Sequence, residues 1–261
     1  MRLDISYDGT DFSGWARQPD RRTVCGVLED TIAQVLRGAV RRLTVAGRTD
    51  AGVHATGQVS HVDLPADVDV PALLYRLNRA LPPDVRILGA REVSPAFDAR
   101  FAALRRHYTY RVSDRPVEPL VRNHIVGWPR PLDLAALNAA AANLLGTHDF
   151  VAFCKRREGA TTIRELQRLD WREVDGVFVA HVSADAFCHS MVRSLVGALL
   201  AVGEGRKPVD WPGTLLTAES RASGVTVAPA HGLVLTGVDY PPDDQLAARA
   251  ELTRNVRTLE A

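Results

Sequence analysis

Twice along this chain the hydrophobic pattern runs strand, helix, strand, strand, helix, strand, and few folds accommodate that order twice. In the first pass, residues 3–8 alternate apolar and polar side chains, as a half-buried strand does, and stop at Asp8-Gly9. Thr23 then stands as N-cap to a helix whose Val24, Val27, Leu28, Ile32, Val35 and Leu36 share one face. Strands follow at residues 43–46 and 58–63, a helix begins near Pro71, and residues 85–93 are again a strand. The second pass opens with a strand at 107–113 and a helix capped by Asp133 and closed by Gly146. Residues 164–174 and 177–185 form a hairpin about Asp175-Gly176. The segment 191–202 is apolar nearly all round and is therefore a buried helix. A shorter helix fits 211–218, and 231–238 is the closing strand.

Two such sets are the arithmetic of a duplicated ferredoxin-like unit. The expected fold is α+β: two β-α-β-β-α-β halves, residues 1–103 and 104–261, joined into one mixed, mainly antiparallel sheet with a central cleft. No residue-level repeat accompanies the duplication, which rests on element order alone. The basic loop 154–162 is expected to be mobile, and the polar tail 245–261 to be a peripheral helix or disordered.

Composition narrows the setting more than the chemistry. No apolar run reaches the roughly 18 residues of a membrane span, and the opening MRLDISYDG is no signal peptide, so a cytoplasmic protein is expected. Cys25, Cys154 and Cys188 are odd in number, widely spaced and free of any Cys-x-x-Cys, which predicts reduced thiols. The net charge of +1 announces no nucleic-acid partner. Yet all the basic residues except Lys155 and Lys207 are arginines, whose planar fork suits phosphate oxygens and base edges. A GC-rich genome would also produce this bias, so distribution matters more: Arg21-Arg22, Arg41-Arg42, Arg105-Arg106 and Arg156-Arg157 are clustered.

The chemistry is concentrated between the second and third strands, where Gly47 to Gly57 reads GRTDAGVHATG. Arg48 and Asp50 sit two residues apart on a turn. Gly47, Gly52 and Gly57 let the backbone turn tightly or approach a ligand closely. Residue types alone leave two readings, an Asp-initiated turn with a solvated arginine or a carboxylate held out for catalysis. Three other segments are distinctive: Gly14-Trp15-Ala16-Arg17-Gln18; RFAALRRHYTYR from Arg100 to Arg111; and FCHSMVRSLVG from Phe187 to Gly197. In the last, Arg193 places a permanent cation on an apolar helix, which is costly unless it is paired or reaches water.

These segments resemble the tRNA pseudouridine synthase A family. GRTDAGVHA is that family's catalytic signature, and the resemblance implies that Asp50 is the nucleophile, with Arg48 beside it. The loop at 14–18 matches the family's Gly-Trp-Gln-Arg-Gln except at Ala16, and points to Arg17 as an RNA contact. Within 100–111 the match aligns Tyr108 with the tyrosine that stacks on the target uracil, although His107 replaces the basic residue common just before it. Arg100, Arg105 and Arg106 become candidate RNA contacts. The third segment follows the family's Phe-x-x-x-Met-Val-Arg-x-x-Val-Gly and makes Arg193 the partner that keeps the Asp50 carboxylate ionised. Asp50, Tyr108 and Arg193 are then expected to meet in the cleft. The resemblance further implies the two-half architecture, a homodimer that binds tRNA, and action at uridines 38, 39 and 40 of the anticodon stem–loop.

Converting uridine to pseudouridine breaks an N–C glycosidic bond, turns the base and rejoins it through carbon. No redox step is involved, so no cofactor is expected. A carboxylate can serve by adding to uracil C6 or by taking ribose C1′ as the base leaves, and the sequence leaves both open. No metal is expected, since the histidines include no His-x-x-x-His pair and Cys188-His189 stands alone. Walker loops and Gly-x-Ser-x-Gly are absent. An RNA-binding protein without catalysis would suit the same fold. Asp50 argues against it, because a carboxylate in a cleft meant for polyphosphate would repel the ligand. A small-molecule isomerase is disfavoured by the many arginines.

Overall fold

The computed structural model describes residues 1–38, 42–65, 67–155 and 161–254. In chain order the strands are β1 (Arg2–Tyr7), β2 (Thr44–Val45), β3 (His54–His61), β4 (Val85–Arg91), β5 (Arg105–Ser113), β6 (Val126–Gly127), β7 (Gly146–Asp149), β8 (Ile163–Val174), β9 (Val177–Ala184) and β10 (Leu233–Asp239). The helices are α1 (Val24–Leu36), α2 (Val70–Ala80), α3 (Leu134–Ala142), α4 (Met191–Gly203), α5 (Trp211–Thr214) and α6 (Leu246–Arg254). The fold is α+β with mixed, mainly antiparallel sheet.

The described chain divides into two compact units. One comprises Met1–Arg106 together with the segment that starts at Val234, and the other is His107–Leu233. In the first unit the strand order is β4-β1-β3-β2, antiparallel throughout. That order, with α1 and α2 between the strands, is the split β-α-β arrangement of a ferredoxin-like unit. The last strand, β10, counts with this unit, where it runs parallel to β3 through Val234↔His54 and Leu235↔Ala55. Leu3, Ile5 and Tyr7 form the buried stripe of β1, as its alternation predicts, and Val24, Leu28, Ile32 and Val35 form that of α1. Thr23 caps α1 by accepting the Gly26 N–H.

In the second unit the order is β5-β9-β8-β7, with β6 parallel to β5. The β8–β9 hairpin turns at Asp175 and Gly176, both with positive φ (51° and 75°), the geometry that Asp-Gly favours. Every residue of α4 except Arg193 is buried, which bears out its uniformly apolar sequence. Gly146 does not simply close α3. It opens β7, whose four residues are too few and too polar to announce a strand.

Of the loop 154–162 and the tail 245–261, residues 156–160 and 255–261 lie outside the described residues, while 246–254 is the helix α6. The cysteines differ from the expected set of reduced thiols. Cys154 and Cys188 form a disulfide with their Cα atoms 5.7 Å apart, and only Cys25 is free. Thirty-four residues separate the pair in sequence, so spacing could not reveal it. Folding of the second unit brings the two segments side by side, where the Lys155 N–H donates to the His189 carbonyl at 3.1 Å. Cys25 lies buried on α1, and burial pushes its thiol up to about 12. No helix among the described residues is long and apolar enough to cross a membrane.

Candidate active site

The segment from Gly47 to Val53 is a loop between two paired strands, and its backbone is held at nearly every step. Before it, Ala46 donates its N–H to the Val59 carbonyl at 2.9 Å. The Ala46 carbonyl accepts from Arg106 Nη2 at 2.9 Å and Nε at 3.3 Å. The Gly47 carbonyl accepts from Gln58 Nε2 at 2.8 Å. Thr49 is buried, with its Oγ1 2.8 Å from the Tyr7 hydroxyl and its carbonyl accepting from the Trp15 N–H at 3.1 Å. The Val53 N–H closes the turn on the Asp50 carbonyl at 3.2 Å, and the Gly52 N–H reaches Phe12 at 3.3 Å. Arg48 is exposed and Asp50 half-buried, on either side of the inward Thr49. The arrangement is therefore a carboxylate and a guanidinium at the surface of a loop fixed from beneath.

The glycines divide by role. Gly52 takes the left-handed conformation at φ +77°. Gly57 instead leaves room for a neighbouring strand, since a Cβ there would lie 2.2 Å from the Thr236 carbonyl oxygen. Gly14, ahead of the buried Trp15, lies so close beneath the loop that a Cβ would meet the Thr49 carbonyl oxygen at 2.9 Å.

The four arginines singled out as RNA contacts are placed differently. Arg17 is exposed and lies beside Asp30 at 2.9 Å and Glu29 at 3.4 Å, an ion pair that raises its pKa chiefly through the Asp30 hydrogen bond. Arg100 is exposed with its guanidinium 4.9 Å above the Phe101 ring. Arg105 is exposed, with Nε 3.3 Å from Asp239. Arg106 faces the other way on β5 and is only 6% exposed. Besides Ala46 it donates to the Arg100 carbonyl at 2.6 Å, so its donors serve the interior of the protein. Adjacent residues of a strand point to opposite faces, which is why one member of an Arg-Arg pair must turn inward.

The second unit holds the other two residues. Tyr108 on β5 is buried, its ring meeting the edge of Phe187 at 5.2 Å and 90°. Tyr110, on the same face, donates to the Pro229 carbonyl at 3.0 Å, and burial pushes its phenol pKa up. Arg193 is half-buried near the start of α4, where its Nε donates to the Ala228 carbonyl at 2.8 Å. The Ala228 N–H returns a bond to the Arg193 carbonyl at 3.0 Å. One turn on, Gly197 packs directly against this strap, since a Cβ there would fall 1.7 Å from the Thr226 carbonyl oxygen.

Sequence reasoning did not single out Tyr7, Gln58 or the inward role of Arg106. The available signal was a polar residue at an inward position of an alternating strand, as Tyr7 is after Leu3 and Ile5. Among the described residues no three His, Cys, Asp or Glu side chains are grouped as a metal site would require.

The chain matches a family model described as tRNA pseudouridine synthase over residues 5–102 and 140–241. It is 62% identical over 260 residues to the tRNA pseudouridine synthase A of Frankia casuarinae, covering 98% of this chain and 95% of that one. It is 58% identical over 267 residues to the protein of the same name from Streptomyces griseus subsp. griseus, with 99% and 94% covered. Against the Mycobacterium leprae protein of that name the identity is 54% over 274 residues, with 99% and 95% covered.

Proposed function

We propose, since this chain belongs to the tRNA pseudouridine synthase family, that it isomerises uridine to pseudouridine at positions 38, 39 and 40 of the tRNA anticodon stem–loop. Asp50 is the nucleophile. The observation that carries this reading is the loop itself: its buried side is fixed by hydrogen bonds, while the Asp50 carboxylate stays half-exposed at its edge. A fixed, accessible carboxylate is what attack on a single atom of a nucleoside requires.

The reaction breaks the bond from ribose C1′ to uracil N1 and forms one from C1′ to C5. N1 ends with a proton, C5 loses its own to solvent, and no electrons leave or enter. The balance needs no cofactor. Attack by Asp50 on uracil C6 or on ribose C1′ uses the same carboxylate. The uridine must first leave its stack, at a cost of a few kcal/mol. Arg48, exposed beside Asp50, takes the vacated place in the RNA. Tyr108 stacks on the extruded base, and Arg193 supports the active site. Exposed Arg17, Arg100 and Arg105 meet phosphates, and Arg106 supports the loop from within. The protein works in the cytoplasm as a homodimer.

Modification mapping of tRNA from cells lacking this protein tests the assignment. Pseudouridine should vanish at 38–40 and return when the purified protein is added. Retention of all three modifications in its absence would refute the reading.

A further inference from the structure

We propose that Tyr7, Gln58 and Thr49 form a buried clamp that positions the loop carrying Asp50, and that Tyr7 and Gln58 act on the reaction only through that loop. The inference rests on the assignment of Asp50 above and says how its carboxylate is kept in place.

Tyr7 ends the inward stripe of β1 and is 4% exposed, while Gln58 lies mid-strand on β3 with 0% exposed. A phenylalanine would fill the first position and a leucine the second, if filling the core were all that was needed. Burying a hydroxyl and an amide is costly unless each finds partners. Here the partners of the donor groups lie on the loop or within the clamp itself. Gln58 Nε2 donates to the Gly47 carbonyl at 2.8 Å and to the Tyr7 hydroxyl at 3.3 Å, which uses both amide protons. Its Oε1 accepts from the Val59 N–H at 3.2 Å, so both ends of the amide are bonded. With the phenol oxygen accepting from Gln58, the phenol proton is left for Thr49 Oγ1 at 2.8 Å. Burial pushes the Tyr7 phenol up to about 12, so it keeps that proton throughout the physiological range.

The clamp therefore grips the loop at Gly47 and at Thr49, and Thr49 is bonded covalently to Asp50. The Trp15 N–H holds the Thr49 carbonyl from another side, so the residue before the nucleophile is anchored through both backbone and side chain. Releasing the side-chain anchor lets Thr49 rotate, and Asp50 moves with it. A displacement of about 1 Å in a reacting group can cost on the order of 100-fold in rate.

The test uses the full chain and four variants: Tyr7→Phe, Thr49→Val, the double variant and Thr49→Ser. Single-turnover rate at saturating tRNA, tRNA affinity and Tm are measured for each, with Asp50→Asn as reference. Tyr7→Phe and Thr49→Val should each slow the single turnover about 10- to 100-fold. Affinity for tRNA should stay within about threefold of the unmodified protein, because uniform binding is untouched. The double variant should be no slower than the slower single one, since Tyr7→Phe already removes the bond that Thr49→Val removes. Thr49→Ser, which keeps the hydroxyl, should recover the rate that Thr49→Val loses. A Tyr7→Phe rate equal to that of the unmodified protein would overturn the clamp, as would rate losses that multiply in the double variant. So would a loss of tRNA affinity matching the loss of rate. If Tyr7→Phe fails to fold, the contrast between Thr49→Val and Thr49→Ser decides alone. An inactive Asp50→Asn beside an unaffected Tyr7→Phe removes the clamp only; an active Asp50→Asn removes the assignment of the nucleophile itself.

Discussion

The two units hold their candidate residues by opposite means. Around Asp50 the first unit uses polar groups in the core: Tyr7, Gln58 and Arg106 each reach the loop or the strand leading into it through a hydrogen bond. Around Arg193 the second unit uses an almost wholly buried apolar helix, with a glycine admitting the neighbouring strap to backbone contact. A loop has no repeating hydrogen-bond ladder of its own, so directional bonds must fix it. A helix already has one, and close packing suffices to fix where its side chains emerge. Damage should accordingly differ: packing errors in the second unit should cost chiefly stability, and lost bonds in the first should cost rate as well.

The largest effect on stability should come from Gly197→Ala. The new Cβ cannot coexist with the Thr226 carbonyl unless the strap leaves the helix, so about 3 kcal/mol should be lost. Thermal unfolding measures it, and a variant as stable as the unmodified protein would mean that the strap yields freely.

Arg106→Leu should come next, at about 2 to 3 kcal/mol, because it leaves the buried carbonyl of Ala46 and the half-buried one of Arg100 without their donors. It also sharpens the contrast between support and contact. The dependence of tRNA affinity on salt should keep its slope, as the guanidinium is buried; a slope reduced in this variant would return Arg106 to the phosphate contacts.

Much of this was legible before any coordinates. The alternation of β1, the Asp-Gly hairpin and the apolar α4 carry their structure in local pattern, and the GRTDAGVHA segment marks the loop by residue type. What escaped was set by partners distant in sequence. Arg106 and its neighbour Arg105 are chemically alike, and only strand register decides which of them turns inward. Gly57 could be read as room for a ligand because nothing nearby in sequence announces β10 beside it. The Cys154–Cys188 pair, likewise, exists only once the second unit has folded.

The smallest stability change should follow Arg17→Ala. Its ion pairs with Asp30 and Glu29 are exposed, and surface pairs contribute little, so Tm should not move measurably. The log–log salt slope of tRNA binding should nevertheless fall by about 0.7 to 0.9 if Arg17 meets a phosphate. An unchanged slope would make Arg17 a partner of α1 and nothing more.

The nucleophile is tested most directly by Asp50→Asn, which keeps the size of the side chain and removes its charge. Release of tritium from tRNA carrying 5-tritiated uridine, followed in a single turnover, reports the chemistry, and a binding titration reports the rest. The rate should fall by about 10,000-fold or more, as loss of a nucleophile does elsewhere, while tRNA affinity stays within about threefold. A rate within tenfold of the unmodified protein would contradict the role given to Asp50.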